Sequence, residues 1–118
     1  MTSKNASAKP VPAIFRTLAS QELYVDLLHA LEPLGAFEVE NKKTCVHLVR
    51  KSAFMGVHPR KDGLMVTIKS PAEIKNKRVA KAEQVSKSRW HIDVKLSGSG
   101  DIDASLLKWA KGAYEMSS

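Results

Sequence analysis

Four histidines and one cysteine are the side chains with the widest chemistry in this chain, because they can bind metals, transfer protons or attack as nucleophiles. No two histidines lie four residues apart, the spacing that places two metal ligands on one helix face, and Cys45 is the only cysteine. Taken singly, they are typical of core or surface residues. One alternative brings His47 and His91 together, since both fall within predicted strands and can share a polar sheet face.

The other chemical signals also have structural explanations. Asp101 and Asp103 resemble a metal-binding acidic pair, but Asp103 is well placed to cap a following helix and Asp101 to interact with its dipole. Cys45 has no neighbouring base that would activate it as a nucleophile. The sequence has no phosphate-binding glycine loop, serine nucleophile motif or zinc-protease helix. We therefore predict no catalytic residue, no metal site and no cofactor, and an enzyme is the less favoured class.

Positive charge is concentrated in the middle of the chain. The chain has 118 residues and a net charge of +7, whereas residues 42–95 hold 14 basic and 4 acidic residues, a net charge of +10. Such a segment attracts anionic partners over long distances. The alternative is that these cations keep hairpin turns soluble and strand edges unpaired. Only Phe54 and Trp90 among the aromatic residues lie in this segment, which is few for a protein that stacks on nucleic-acid bases.

The elements that must position these residues begin with a helix. Leucines recur at three- and four-residue spacing from Leu23 to Leu34, which predicts an amphipathic helix with Ser20 as its N-cap. Pro33 and Gly35 are predicted to end it.

Beyond this helix the hydrophobic period changes to two, which predicts antiparallel strands joined by turns of hairpin length. The turn that ends in Asp62-Gly63 is typical of a tight connection in which glycine has a positive φ. In a meander, alternate turns lie on the same side of the sheet, at the edge that the ends of the strands form. Lys43 and Lys61 are therefore predicted at one such edge and Lys51 at the other.

The region after the fourth strand fits more than one structure. Ser70 to Glu73 matches a capping box with proline at the first helical position, which predicts a short helix. Residues 76–88 fit a helix or a hairpin, and we favour the hairpin because the strand from Trp90 to Leu96 needs a neighbour. That strand alternates strictly, which predicts one covered sheet face and one polar face that carries His91, Asp93 and Lys95.

Together these patterns predict an α+β fold with an N-terminal helix, an antiparallel meander of about four to six strands, and a C-terminal amphipathic helix packed on one sheet face. Residues 1–12 are predicted to form a disordered tail and residues 13–118 a single domain. The sequence has no signal peptide or apolar run long enough to cross a membrane, and a single cysteine cannot form an internal disulfide. These features predict a cytoplasmic protein with no membrane partner.

Several motifs, in their order along the chain, resemble those of a bacterial family, the domain of unknown function 5655. The resemblance extends over residues 15–116 and is carried by Tyr24 to Leu28, Lys43-Thr44, Phe54 to Val57, Arg78, Arg89-Trp90-His91, Asp101-Ile102-Asp103 and Ala113-Tyr114. It implies a compact α+β domain, found alone or fused to other modules that include nuclease-like ones, and some relatives are labelled predicted transport proteins. No established catalytic residues come with the resemblance. It draws attention to polar residues that a core does not need: Lys43, Thr44, Lys61, Arg78 and His91.

We therefore predict a non-catalytic binding or accessory module that holds an anionic small molecule on a basic sheet edge and a polar sheet face. Lys43, Lys61 and Arg78 would supply charge, and Thr44 and His91 would donate hydrogen bonds. One alternative is sequence-independent binding of nucleic acid, as an accessory to a nuclease. Another is a protein-interaction domain or homodimer that uses an exposed strand edge. A third is a small-molecule enzyme with a closed pocket.

Overall fold

Two α-helices, two short 3-10 helices and one six-stranded sheet lie within residues 11–118, the part of the chain that this computed structural model describes. The helices are α1 (Leu18–Leu31) and α2 (Ala104–Met116), and the strands are β1 (Glu38–Asn41), β2 (Val46–Val49), β3 (Ala53–Arg60), β4 (Gly63–Ser70), β5 (Val79–Ser86) and β6 (Arg89–Leu96). Most of the predicted tail, residues 1–10, lies outside the described residues. Val11 is half-buried and packs against the core.

The sheet is antiparallel throughout, and its strands follow the spatial order β1-β2-β3-β4-β6-β5. The predicted α+β fold, with a helix at each end of the chain and a sheet of up to six strands, is confirmed. The hairpin favoured for residues 76–88 is also confirmed, because β5 pairs with β6. β6 enters the sheet between β4 and β5, so β5 forms one edge.

One face of the sheet is covered by both helices, which pack against β4 and contribute to a single hydrophobic core. Burial alternates along the central strands: Leu64, Val66 and Ile68 of β4 are fully buried, whereas Thr67 and Lys69 are half-buried on the opposite side. We call that opposite side the open face. The prediction of one covered and one polar face is confirmed.

The predicted N-cap of α1 is wrong by three residues. Thr17 has an extended backbone, and its hydroxyl accepts a hydrogen bond from the amide of Ser20 at 3.2 Å. Ser20 is buried inside the first turn, where its own hydroxyl donates to the carbonyl of Thr17 at 2.9 Å. The predicted end of the helix is close: α1 stops at Leu31, a short 3-10 turn follows, and Gly35 has a φ of +134°.

The short helix predicted from the capping box at Ser70 is also wrong, since no helix lies between β4 and β5. Ser70 is the last residue of β4 and pairs with Trp90 of β6. Its hydroxyl donates to the carbonyl of Ala72 at 2.5 Å and accepts from the Ala72 amide at 3.2 Å. The serine therefore closes a local turn, and its hydroxyl is not available to cap a helix.

Candidate functional site

A groove on the open face brings together three of the four histidines. His47 on β2, His58 on β3 and His91 on β6 line it, together with Thr67 and Lys69 on β4. Its volume is about 250 Å³, and no carboxylate of residues 11–118 is among its lining residues. His47 and His91, which the sequence suggested as a pair, thus face one cavity with a third histidine that sequence reasoning did not group with them.

The groove exists because Gly56 has no side chain. Gly56 pairs with His47 on one side and with Thr67 on the other, so it lies in the middle of a cross-strand row. A Cβ built on Gly56 would lie 3.5 Å from Nε2 of His58 and 3.8 Å from Cδ2 of His47, both ordinary contact distances. Alanine therefore fits at this position, whereas a larger side chain would occupy the groove.

Lys69 provides a positive charge at one end of the groove. Its Nζ donates to the hydroxyls of Ser52 at 2.9 Å and Ser117 at 3.1 Å, and it forms no ion pair with a carboxylate of residues 11–118. Burial, and then the charge of Arg89, lower the pKa of Lys69 below its ordinary value. His91 is its direct partner across the β4–β6 ladder, so the two side chains lie side by side.

His58 is joined to a hydrogen-bonded chain on the same face. Thr67 donates its hydroxyl proton to Oδ1 of Asp93 at 2.6 Å, and the hydroxyl oxygen of Thr67 lies 3.4 Å from Nε2 of His58. Because Thr67 has already donated its one proton, its oxygen can only accept from His58, which favours the tautomer with hydrogen on Nε2. Burial is the main cause that lowers the pKa of His58; the charge of Arg60 lowers it further and that of Asp93 opposes the shift.

Arg78, one of the predicted site residues, is held by contacts within the fold. Its guanidinium donates to the carbonyl of Asp101 at 2.6 Å, forms an ion pair with Asp103 at 3.2 Å and lies 5.5 Å from the ring centroid of Trp109. Asp103 caps α2 as predicted, accepting from the Leu106 amide at 2.9 Å. This hydrogen bond, and then Arg78, lower the pKa of Asp103. These contacts fasten the start of β5 to the start of α2.

The other predicted site residues lie in two further places. Lys43 and Thr44 are exposed in the turn between β1 and β2, and Lys61 is exposed in the turn between β3 and β4. Both turns are at one end of the sheet, as the meander predicts. His91 is near the opposite end, because its partner Lys69 is separated from that turn by nearly the whole of β4, about 20 Å at 3.3 Å per residue. The structure brings Lys43, Thr44 and Lys61 to one end and leaves His91 near the other. Arg78 lies at the same end as the lysines but across the sheet, before the edge strand β5, with its side chain bound to Asp101 and Asp103.

The family model described as "Domain of unknown function (DUF5655)" matches residues 11–117. The chain belongs to the DUF5655 family. The resemblance recognised from the motifs is thereby confirmed over almost all of the described residues. No curated protein and no solved structure is significantly similar to the chain. In the described part of this DUF5655 protein, no helix is long and apolar enough to cross a membrane.

The chemistry of the groove is that of a hydrogen-bond donor site. Among the described residues of the DUF5655 domain, no three His, Cys, Asp or Glu side chains are grouped closely enough to hold a metal ion. The groove instead presents the ammonium of Lys69 and the imidazole N–H groups of His47 and His91. Such donors bind carboxylate, sulfate or phosphate groups, since charge-assisted hydrogen bonds are stronger than neutral ones.

Sequence reasoning missed Lys69, His58 and Gly56 as parts of the site. The alternation along β3 and β4 places all three on the face opposite the core, so the two-residue period of these strands was enough to predict that they share a face. The rest depends on register: Lys69 meets His91 only because β4 pairs with β6, and these strands are not consecutive in the chain.

Proposed function

We propose that this DUF5655 domain is a non-catalytic binding module that holds a compact anionic ligand, with carboxylate or phosphate chemistry, in the groove on the open face. The observation that carries the proposal is the environment of Lys69. Its ammonium is held by two neutral hydroxyls, with no carboxylate of residues 11–118 in ion-pair range. A bound anion would supply the missing counter-charge.

The polar lining residues support a small anionic ligand, whereas Ala53, Phe54 and Met55 supply an apolar part of the groove. In the proposed complex Lys69 acts as a point charge, and His47 and His91 donate hydrogen bonds from two sides. The volume of about 250 Å³ is below the range of sites for drug-sized molecules, which start at roughly 300 Å³. Asp93 is hydrogen-bonded to Thr67 and not to an imidazole, so the described contacts contain no carboxylate–histidine pair of the kind that general-base catalysis uses.

We also propose that the protein works in the cytoplasm. Cys45 is buried and free, and as the single cysteine of the sequence it cannot form an internal disulfide. Proteins of reducing compartments have this pattern.

Sulfate titration tests the proposed site, because sulfate is compact and keeps its charge across the neutral range. We expect saturable binding, measured by calorimetry and by shifts of the histidine ring signals in NMR. Lys69→Gln should weaken binding by at least about 10-fold, the loss of one charge-assisted hydrogen bond. Gly56→Val should abolish binding by filling the groove while every charged residue stays in place, and Gly56→Ala should have an intermediate effect.

The matched control is Lys108→Gln, which makes the same change of charge at an exposed position of α2. It should leave sulfate affinity unchanged. Equal weakening by Lys108→Gln and Lys69→Gln would show that only net charge matters, and unaltered binding by Gly56→Val would show that sulfate does not enter the groove. Either result contradicts the proposal.

The lowered pKa of His58 predicts how stability depends on pH. In the unfolded chain this histidine takes up a proton near pH 6.5, whereas in the folded protein it does so at a lower pH. Its contribution to the free energy of unfolding is therefore complete above about pH 6.5 and is lost as the pH falls from there through the folded pKa. Urea midpoints of the protein should fall over this window, and those of His58→Gln should fall less. Parallel curves for the two proteins would contradict the shift.

A further inference from the structure

A row of basic side chains runs along the end of the sheet where the β1–β2 and β3–β4 turns lie. We call this set the turn row: Lys43, Arg60, Lys61, Lys77 and Lys95, which lie in the β1–β2 turn, at the β3–β4 turn, just before β5 and near the end of β6. From the β1–β2 turn to β5 the row crosses more than four strand spacings, about 20 Å.

The pairing register shows that these residues lie at similar heights. Val46, Val57, Val66 and Val94 form one cross-strand row, and Val79 of β5 joins it through Val94. The amide of Lys42 donates to the carbonyl of Cys45 at 2.9 Å, so Lys43 lies at the tip of the β1–β2 turn, just beyond this row. Arg60 follows Val57 by three residues and lies beyond the row at the β3–β4 turn. Lys77 lies in the turn just before β5, next to Arg78, whose carbonyl accepts from the amide of Lys95 at 2.9 Å.

The side chains of the turn row are exposed, and Asp101 lines a cleft together with Lys77 and Lys95. None of the five forms an ion pair with residues 11–118. Lys42 is excluded from the row because it pairs with Glu40 at 3.4 Å, and Arg78 because it is bound to Asp101 and Asp103. Asp62 is the one carboxylate inside the β3–β4 turn itself.

The middle of the row borders a cleft that adds a further cation. Arg16, Arg60 and Lys61 line this cleft of about 260 Å³ with Thr17 and Pro59, and its lining includes no carboxylate of the described chain. The hydroxyl of Thr17 is already used to cap α1, so the donors that remain are the three cationic side chains.

We infer that the turn row, with Arg16, binds the phosphodiester backbone of nucleic acid without reading its sequence. A span of about 20 Å exceeds a small ligand but matches about six phosphates of one strand at 3.4 Å each. Exposed lysine and arginine side chains suit such a repeating polyanion better than they suit a single small anion in an enclosed site. No aromatic side chain of residues 11–118 is among the exposed large hydrophobic ones, so the row offers no platform on which bases would stack.

This site does not depend on the groove. The turn row lies at the opposite end of the strands from Lys69 and His91. Variants of the groove and of the row therefore separate the two proposals, since either can fail while the other stands.

Salt-dependent binding to DNA tests the inference. The affinity of the full chain for a labelled duplex and for a labelled single strand of equal length would be measured by fluorescence anisotropy over a series of salt concentrations. Binding through six phosphates, one for each cation of the turn row and Arg16, predicts a slope of log K against log salt of about −5.4 for the duplex. Lys43→Gln combined with Lys61→Gln should make that slope shallower by about 1.8, because each removed contact accounts for about 0.9.

The control is Lys108→Gln combined with Lys111→Gln, which removes two exposed charges from α2. It should leave the slope unchanged, as should Gly56→Val in the groove. The inference is overturned if neither DNA binds at low salt, or if the α2 control changes the slope as much as the turn-row variant does. Tighter binding to phosphatidylserine vesicles than to either DNA would also overturn it, since the row would then recognise a membrane surface.

Discussion

Replacement of Gly63 by alanine is expected to lower the free energy of unfolding by about 3 kcal/mol, the upper part of the range for overpacked positions. A Cβ on Gly63 would overlap the carbonyl oxygen of Leu96 and would lie 3.1 Å from Cδ1 of Leu23. The carbonyl belongs to the ladder between β4 and β6, and Leu23 belongs to the buried face of α1. Neither neighbour is the free end of an exposed side chain, so the clash must be relieved by a shift of the sheet or the helix.

Urea unfolding followed by tryptophan fluorescence measures this loss, and Gly112→Ala is the matched control. Gly112 lies in α2, and a Cβ there would meet no atom within 4 Å. Because glycine is a poor helix former, this substitution should stabilise the protein by about 0.5–1 kcal/mol. A stability of Gly63→Ala within about 1 kcal/mol of the unsubstituted protein would show that the sheet accommodates the methyl group, contrary to our expectation.

Replacement of Phe54 by alanine is expected to lower the free energy of unfolding by about 3–5 kcal/mol, the range for truncation of a buried aromatic residue. Phe54 has no exposed surface, and its ring makes edge contacts with Phe37 at 5.7 Å and with Tyr114 at 5.2 Å between centroids. Tyr114 belongs to α2 and also donates to the carbonyl of Ala36 at 2.8 Å. The cavity would therefore open where α2, β3 and the segment before β1 meet.

Phe37→Ala provides the comparison, because Phe37 contacts the same ring but is only half-buried. Its loss should cost clearly less than that of Phe54 in the same urea experiment. Equal losses would mean that the cluster acts as a unit, and that burial of the individual rings does not set the energy.

The sequence predicts the architecture well because hydrophobic period is a local property. The alternation from Trp90 to Leu96 and the leucine stripe of α1 each report which side of an element is buried, whatever the rest of the chain does. Caps are harder to predict, because several hydroxyl residues compete for one role. Thr17 caps α1 since Ser20 is buried in the turn behind it, and Ser70 fails as a cap since it pairs with Trp90 of β6 and its hydroxyl closes a turn with Ala72.

The role of Gly63 shows where local reasoning fails. An Asp-Gly turn predicts a positive φ, yet among the described residues only Gly35 has one. Gly63 is required because the backbone of β6 passes close to it, and that approach depends on a strand much later in the chain. A turn motif therefore identified the right residue for a reason that does not apply in the folded protein.

The candidate site was predicted in part. Antiparallel connectivity was enough to place Lys43 and Lys61 at one end of the sheet. Their separation from His91 follows from the length of β4, and the contacts that hold Arg78 follow from the docking of α2. Neither this separation nor the contacts of Arg78 can be predicted from the spacing of residues in the sequence. The groove itself required the full register, because His47, Gly56 and Thr67 meet across three strands.

The position of β6 between β4 and β5 also has a kinetic consequence. The β5–β6 hairpin is local and can form with little loss of chain entropy, whereas the contact of β6 with β4 must close a longer loop. Lys69 and His91 lie on the two sides of that seam. The groove is therefore assembled only when the hairpin docks, and an anion that contacts both residues would stabilise the completed sheet as a whole and not either half of it.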